Sequence, residues 1–299
     1  MDTNHIKTNS IKAWFLAARP KTLTGALVPV AIALAMAWHD NQESFKWTPA
    51  LLCMLFACMM QIDANFVNDY YDCLKGIDGE DRLGPERACS QGWITLPAMK
   101  KGLIIVTIIS ALIGLPLIAW GGWQMVGIGM ACIIFCFLYT TLLSSMAMGD
   151  VLVLLFFGIV PVCATYYLQT GTVTTDVLLL SLGCGLATDN LLIVNNFRDR
   201  DTDKRHGKIT LVTLVGERCA LALYPLLFTS AAAIAFIVVY APTFPSLKIL
   251  LLVLYLIFCL SCFIKMKRIR RGRQLNQVLG QTALSILLYG IAVCLGVLL

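Results

Sequence analysis

Charged side chains are scarce in this chain: Asp, Glu, Lys and Arg make up 13% of its 299 residues. A soluble domain of this size carries about twice that share, so a water-soluble globular fold is excluded. No hydrophilic block is long enough to suggest a second, soluble domain. Residues 1–299 therefore read as one membrane-embedded unit. There are three histidines, His5, His39 and His206, too scattered for a histidine-based metal site. The net charge of +6 is modest and sits in loops, which does not point to nucleic acid. No cleavable leader is expected either, because the first apolar stretch follows Ala-Arg-Pro-Lys without a small-residue cleavage site. Cysteine is abundant at 12 residues, but the one Cys-x-x-Cys, Cys259/Cys262, lies in an apolar run without acidic or histidine company. Those thiols read as small packing residues rather than metal ligands.

Apolar residues are what the chain has in excess, at 59% with a mean hydropathy of +0.79. A helical membrane span needs roughly 20 mostly apolar residues. Nine stretches meet that need, at about 22–38, 48–67, 102–120, 123–142, 150–168, 176–196, 220–240, 246–265 and 277–299. Positive charge favours the cytoplasmic side. With nine spans and a cytoplasmic N-terminus, all of the 23 Lys and Arg except Lys46 and Lys248 fall on the cytoplasmic side. The fold class expected is thus an all-α integral membrane protein of about nine transmembrane helices.

Two of the cytoplasmic loops, 68–101 and 197–219, are long and mixed in charge, and each begins on an acidic helix end. The first runs from Ala64 to Asp78 and contains Asn65, Asn68, Asp69 and Asp72, three or four residues apart and so on one helical face. Asp63 lies deeper in the same helix. The second runs from Asn195 to Lys208 and contains Asp199 and Asp203 four apart, with Asn195 and Asn196 a turn deeper and Asp189 deeper still. Carboxylates at membrane depth are costly and usually functional. Two carboxylate clusters beside basic side chains suit Mg2+ ions bridging to phosphate oxygens, with Arg87, Arg198, Lys204 and Lys208 taking the remaining oxygens. Diphosphate would then be stabilised as a leaving group, while the apolar helices hold a hydrocarbon tail. A membrane enzyme acting on a prenyl diphosphate fits this pattern. A cation-coupled transporter or a non-enzymatic scaffold also fits the composition, although transport sites tend to lie near mid-membrane between broken helices. Gly207-Lys208-Ile209-Thr210 lacks the glycine-rich loop and preceding strand of a nucleotide-binding loop.

The two acidic elements closely resemble the aspartate-rich motifs of the UbiA superfamily of intramembrane aromatic prenyltransferases, as NDYYD (Asn68 to Asp72) and NNFRDRDTD (Asn195 to Asp203). Within it the chain looks most like the menaquinone branch, the 1,4-dihydroxy-2-naphthoate polyprenyltransferases. RPKTL (Arg19 to Leu23), DRLGPERACSQGWIT (Asp81 to Thr95) and the continuation of the second motif to Gly216 carry that likeness. The resemblance implies helices around a central cavity that opens to the cytoplasm and laterally to lipid. It implies Mg2+ held by Asn68, Asp72, Asp199 and Asp203, with Asp69 next, and diphosphate contacts from Arg87, Arg198, Lys204 and Lys208, near Asn195. Tyr139 is either a cavity residue or an interfacial tyrosine. Asp63 and Asp189 either help hold or deprotonate the ring substrate or are buried, paired polar residues. The implied substrates are a polyprenyl diphosphate and an aromatic acid, 1,4-dihydroxy-2-naphthoate or else 4-hydroxybenzoate. The implied setting is a bacterial inner membrane with the active site facing the cytoplasm and no obligate protein partner. Two departures stand out. Gly76 occupies a position where many members have Asp, leaving Asp78 as the next acid. The link from Tyr139 to Asp150 is shorter than usual, keeping Tyr-Thr at its start and Gly-Asp at its end.

Overall fold

The computed structural model describes residues 6–76, 82–241 and 246–299, the side chains of 246 and 247 excepted. Among the described residues, nine helical segments are long and apolar enough to cross a membrane. All lie close to the stretches expected from hydropathy. Asp78 and Asp81 fall outside the described residues.

The first span consists of α1 (Ile11–Ala18) and α2 (Leu23–Asp40). They are separated at Arg19, which takes a left-handed conformation with φ 50°. The following Pro20 explains the break, since the residue before a proline is disfavoured in the helical region. Next come α3 (Trp47–Leu74) and the third span, formed by α4 (Leu96–Gly114), a 3-10 turn containing Pro116, and α5 (Ile118–Gly121). The fourth span is α6 (Gln124–Thr141). The fifth is α7 (Gly149–Leu154), a π-helical turn at Leu155–Ile159 and α8 (Val160–Thr170). The remaining spans are α9 (Thr175–Arg205), α10 (Leu211–Ala235) with a π turn after it, α11 (Ser246–Ile269) and α12 (Leu275–Leu298).

Two helices overrun the bilayer. The 31 residues of α9 extend about 46 Å at 1.5 Å per residue, beyond a hydrocarbon core of about 30 Å. The 28 residues of α3 do the same. The surplus turns carry the two acidic motifs, so both motifs project from helices anchored deep in the bundle. The largest apolar core gathers α2 and α8 to α12, including the fully buried Tyr224, Tyr255 and Tyr289. A smaller one joins α1, α3 and α4 to the 88–94 loop. Leucines and isoleucines left on the outside, such as Ile104, Ile108, Ile257 and Ile264, form the face that lipid would cover.

The loops after the even-numbered spans meet at one end. Asn276 Nδ2 donates to Leu83 O at 2.8 Å, Lys75 Nζ donates to Thr141 O at 3.0 Å, and Ala147 N donates to Ile209 O at 2.9 Å. At the other end Lys46 N and O exchange two 2.9 Å bonds with the Gln169 side chain, and Gln124 Nε2 donates to Tyr167 Oη at 2.6 Å. The spans therefore alternate in direction, as the charge pattern requires.

The fifth and sixth spans approach closely through glycine. A Cβ on Gly158 would lie 2.5 Å from Ser181 O and 2.9 Å from Gly185 Cα. Small residues at such crossings let backbones pack without a side chain between them. Gly158→Val is expected to push α8 away from α9 and to lower the thermal unfolding midpoint in detergent by several degrees, whereas Gly127→Ala, whose Cβ meets nothing within 4 Å, leaves it unchanged.

Candidate active site

A cavity of approximately 1090 Å³ occupies the bundle. Its charged end is lined by Asn68 and Asp72 from α3, Arg87 from the following loop, Tyr139 from α6, and Asn195, Arg198, Asp199 and Asp203 from α9, with Lys208 just beyond. From there it continues between apolar walls that include Phe56, Met60, Ile118, Met125, Ile128 and Leu168.

Asp72, Asp199 and Asp203, the carboxylates in the lining of the main cavity, are each paired with a cation. The Arg87 guanidinium binds Asp72 and donates to Asn68 O at 2.5 Å. Arg198 grips Asp199 with Nε at 2.7 Å and Nη2 at 2.5 Å, and Lys208 Nζ lies 3.8 Å from Asp203. Such partners offset much of the cost of removing charge from water this close to an apolar chamber. Arg198 is held from all sides. Its Nη2 donates to Asn195 Oδ1 at 2.8 Å, its Nη1 donates to Asn276 Oδ1 at 2.7 Å, and it is 3% exposed. Gly84 presses against it, where a Cβ would sit 2.9 Å from Arg198 Nη2. That approach gives a physical reason for the Gly in the Arg-Leu-Gly-Pro segment. Asn68 Oδ1 accepts a 2.7 Å bond from Thr140 Oγ1, fixing α3 to α6.

Of the residues expected at the site, the structure brings Asn68, Asp72, Arg87, Tyr139, Asn195, Arg198, Asp199, Asp203 and Lys208 to one cavity. Tyr139 thus lies in the cavity wall rather than in an interfacial belt. Two expected residues are elsewhere. Asp69 is fully buried and accepts bonds of 3.0 Å from both Ala88 N and Cys89 N. Its carboxylate does not line the cavity but pins the loop that carries Arg87 over Asp72. Burial, with Asp69 alongside, also pushes the Cys89 thiol far above its ordinary range, so it stays protonated. Lys204 is exposed and does not line the cavity. Asn65 also leaves the expected face, donating to Ala18 O at 2.9 Å and Thr22 Oγ1 at 3.0 Å. Asp63 is a paired buried residue, with both oxygens 3.0 Å from Thr107 Oγ1 on α4. Asp189 is buried outside the cavity lining.

Sequence reasoning missed Asn276, Gln61 and the lining role of Arg19. Asn276 supports Arg198 from the last span, and no local pattern marks it. Gln61 interrupts an apolar run, and Arg19 precedes a proline at the start of a span; both line the cavity. Among the described residues, no group of three or more His, Cys, Asp and Glu is close enough to hold a metal by itself. An oxygen-only set of separate carboxylates fits Mg2+, which commonly takes one or two carboxylates and completes its shell with water and substrate phosphate. The buried Asp203 Oδ2, which has no hydrogen-bond partner, is consistent with such a role.

Nine spans closing around a cavity with acid–base pairs at one end and apolar walls beyond define a multi-pass membrane protein built to hold an amphipathic anion. Residues 26–297 match the model of the UbiA prenyltransferase family, and the chain belongs to that family. A 1,4-dihydroxy-2-naphthoate octaprenyltransferase from Haemophilus influenzae is 32% identical over 100% of both chains. One of that same description from Mycobacterium tuberculosis is 31% identical over 95% of this chain and 96% of its own. Among solved structures, the apo form of a UbiA homolog from Aeropyrum pernix K1 superposes with a TM-score of 0.69 at 14% identity, covering 92% of this chain and 97% of its own. A UbiA homolog from Archaeoglobus fulgidus bound to GPP and Mg2+ gives 0.64 at 17%, covering 94% and 99%. At those identities the likeness concerns the fold.

Asp69→Ala strips two buried backbone donors of a charged acceptor, and each such loss costs about 1–3 kcal/mol. The variant is expected to melt earlier in detergent and, because the Arg87 loop is released, to bind an added diphosphate more weakly than the wild type by isothermal titration.

Proposed function

We propose that this chain transfers a polyprenyl group from polyprenyl diphosphate to 1,4-dihydroxy-2-naphthoate, releasing CO2 and diphosphate and giving demethylmenaquinol for menaquinone biosynthesis. The observation that carries the reading is the joining of two distant acidic motifs at one end of a single long apolar cavity. The full-length relatives of that description favour the naphthoate acceptor.

In this reading Asn68, Asp72, Asp199 and Asp203 hold Mg2+, which would supply positive charge to the diphosphate as it leaves. Arg87, Arg198 and Lys208, already standing beside those carboxylates, would bring their positive charge to the phosphate oxygens. Their charge lowers the cost of separating the allylic C–O bond. The apolar walls keep water from the allylic cation. Asn195 keeps Arg198 in place, and the Tyr139 ring borders the place where the aromatic acceptor meets the cation. The ring carbon attacks, the carboxylate carbon leaves as CO2, and aromaticity returns. The chain works in a bacterial inner membrane with its charged end in the cytoplasm. It needs the bilayer, two substrates and Mg2+, with no nucleic acid and no obligate protein partner.

The test supplies membranes containing the chain with a polyprenyl diphosphate, Mg2+ and either 1,4-dihydroxy-2-naphthoate or 4-hydroxybenzoate. The expected product is the prenylated, decarboxylated naphthoquinol. It should vanish on chelation and fall about 100-fold or more in Asp72→Asn and Asp199→Asn. Arg198 keeps its bonds to Asn195 and Asn276 in the second variant, so folding should survive. Product from 4-hydroxybenzoate alone would move the acceptor to that ring. A folded protein inactive on both would remove the aromatic-transferase reading.

A further inference from the structure

A side chamber of about 30 Å³ opens off the charged end of the main cavity. Tyr139, Ser144, Leu192, Asn195 and Lys208 line both spaces, so the chamber is a bay of the cavity rather than a separate void. Its roof is the clasp between two loops, where Ala147 N donates to Ile209 O at 2.9 Å. Among the described residues, its one carboxylate is Asp150, in the first turn of α7.

Asp150 is 8% exposed, and both of its carboxylate oxygens are buried without a hydrogen-bond partner. A buried carboxylate in that state forfeits its hydration, and only its own backbone N–H and the amino end of α7 offset the loss. No ion pair relieves it: Lys208 lies against Asp203, and Arg198 and Arg87 are committed to Asp199 and Asp72. The titratable and charged groups around it are Tyr139 on α6, Asp189 on α9 and Lys208 in the loop beyond. The chamber has room for one or two oxygen-sized groups. What completes the site is therefore a small O–H donor entering from the main cavity.

We infer that Asp150 is the base that receives the proton of a ring hydroxyl of the aromatic acceptor, whose oxygen enters this chamber past Tyr139. This rests on the aromatic-transferase reading above. The ring O–H bond breaks and its proton passes to a carboxylate oxygen of Asp150. The oxygen's electron pair feeds the ring, the ring carbon forms the new C–C bond to the allylic carbon, and the C–O electron pair leaves with diphosphate. The carbonyl so formed on the ring takes back the electron pair released as CO2 departs, and Asp150 returns the proton to that oxygen. The base is regenerated, and no further reactant is needed.

The test compares wild type, Asp150→Asn, Asp150→Glu and Asp189→Asn in membranes, using 1,4-dihydroxy-2-naphthoate and a polyprenyl diphosphate over a range of pH. At neutral pH Asp150→Asn should lose about 100-fold or more in kcat with the donor KM unchanged. Its rate should then recover about tenfold per pH unit as hydroxide ionises the acceptor hydroxyl, while wild type and Asp189→Asn stay level. Asp150→Glu should keep part of the rate. Removing an unpaired buried charge should leave the melting temperature unchanged or raised, which separates this loss from misfolding. Binding of the acceptor with an unreactive thiolodiphosphate donor should show naphtholate absorbance in wild type and not in Asp150→Asn. Wild-type turnover in Asp150→Asn, or a deficit that does not change with pH, would overturn the inference while leaving the transferase reading intact. A wild type inactive on every hydroxylated ring would overturn both.

Discussion

Pairing of charge at the edge of an apolar chamber is the constraint on which the rest of the structure depends. Asp72, Asp199 and Asp203 face a space whose walls are mostly hydrocarbon, and each has its own cation. Those cations must be held to be effective, so the pairing propagates outward. Asp69 fixes the loop that carries Arg87 through two backbone N–H groups. Asn195 and Asn276 hold Arg198, while the glycine at 84 lets the 82–87 loop close over it. Asn276 in turn donates to Leu83 O, so motif, loop and last span form one connected network.

That network explains why the bundle is asymmetric. At the charged end, loops from alternate spans are laced together by hydrogen bonds. At the other, the charged groups meet neutral partners, with Lys46 against Gln169, Asp40 against Tyr166 and Lys248 against Gly296. Reach supplies the rest. Because α3 and α9 run past the hydrocarbon thickness, their final turns can carry polar residues without stranding them in lipid, yet the same helices carry the cavity walls down among the spans. One continuous space can then solvate a diphosphate at its end and a hydrocarbon along its length.

Which helical face carries the site was partly legible from periodicity. At about 100° per residue, Asn195, Asp199 and Asp203 share a face, and they line the cavity together. The same rule sets Lys204 about 140° from Asp199, on the outer side where it is found, so its charge alone was a misleading guide. Arg200 is turned away likewise, against Phe197, Arg270 O and Glu217. Asp69 is the opposite case. Periodicity keeps it near Asp72, but the unpaired N–H groups of a loop nearly twenty residues later claim its oxygens, and no local pattern announces that.

The sequence by itself determined the membrane class, the nine spans, their alternation and the two acidic helix ends, because hydropathy, charge placement and helical period are all local or additive along the chain. Tertiary structure alone decided which acids face the cavity, which cation each one meets, that Asn276 braces Arg198, and that Asp150 sits unpartnered in a bay beside Tyr139. Those outcomes depend on how helices distant in sequence are turned and spaced against one another. A backbone rotation of a few tens of degrees sends a carboxylate to a cavity or to a loop, and composition does not record that angle.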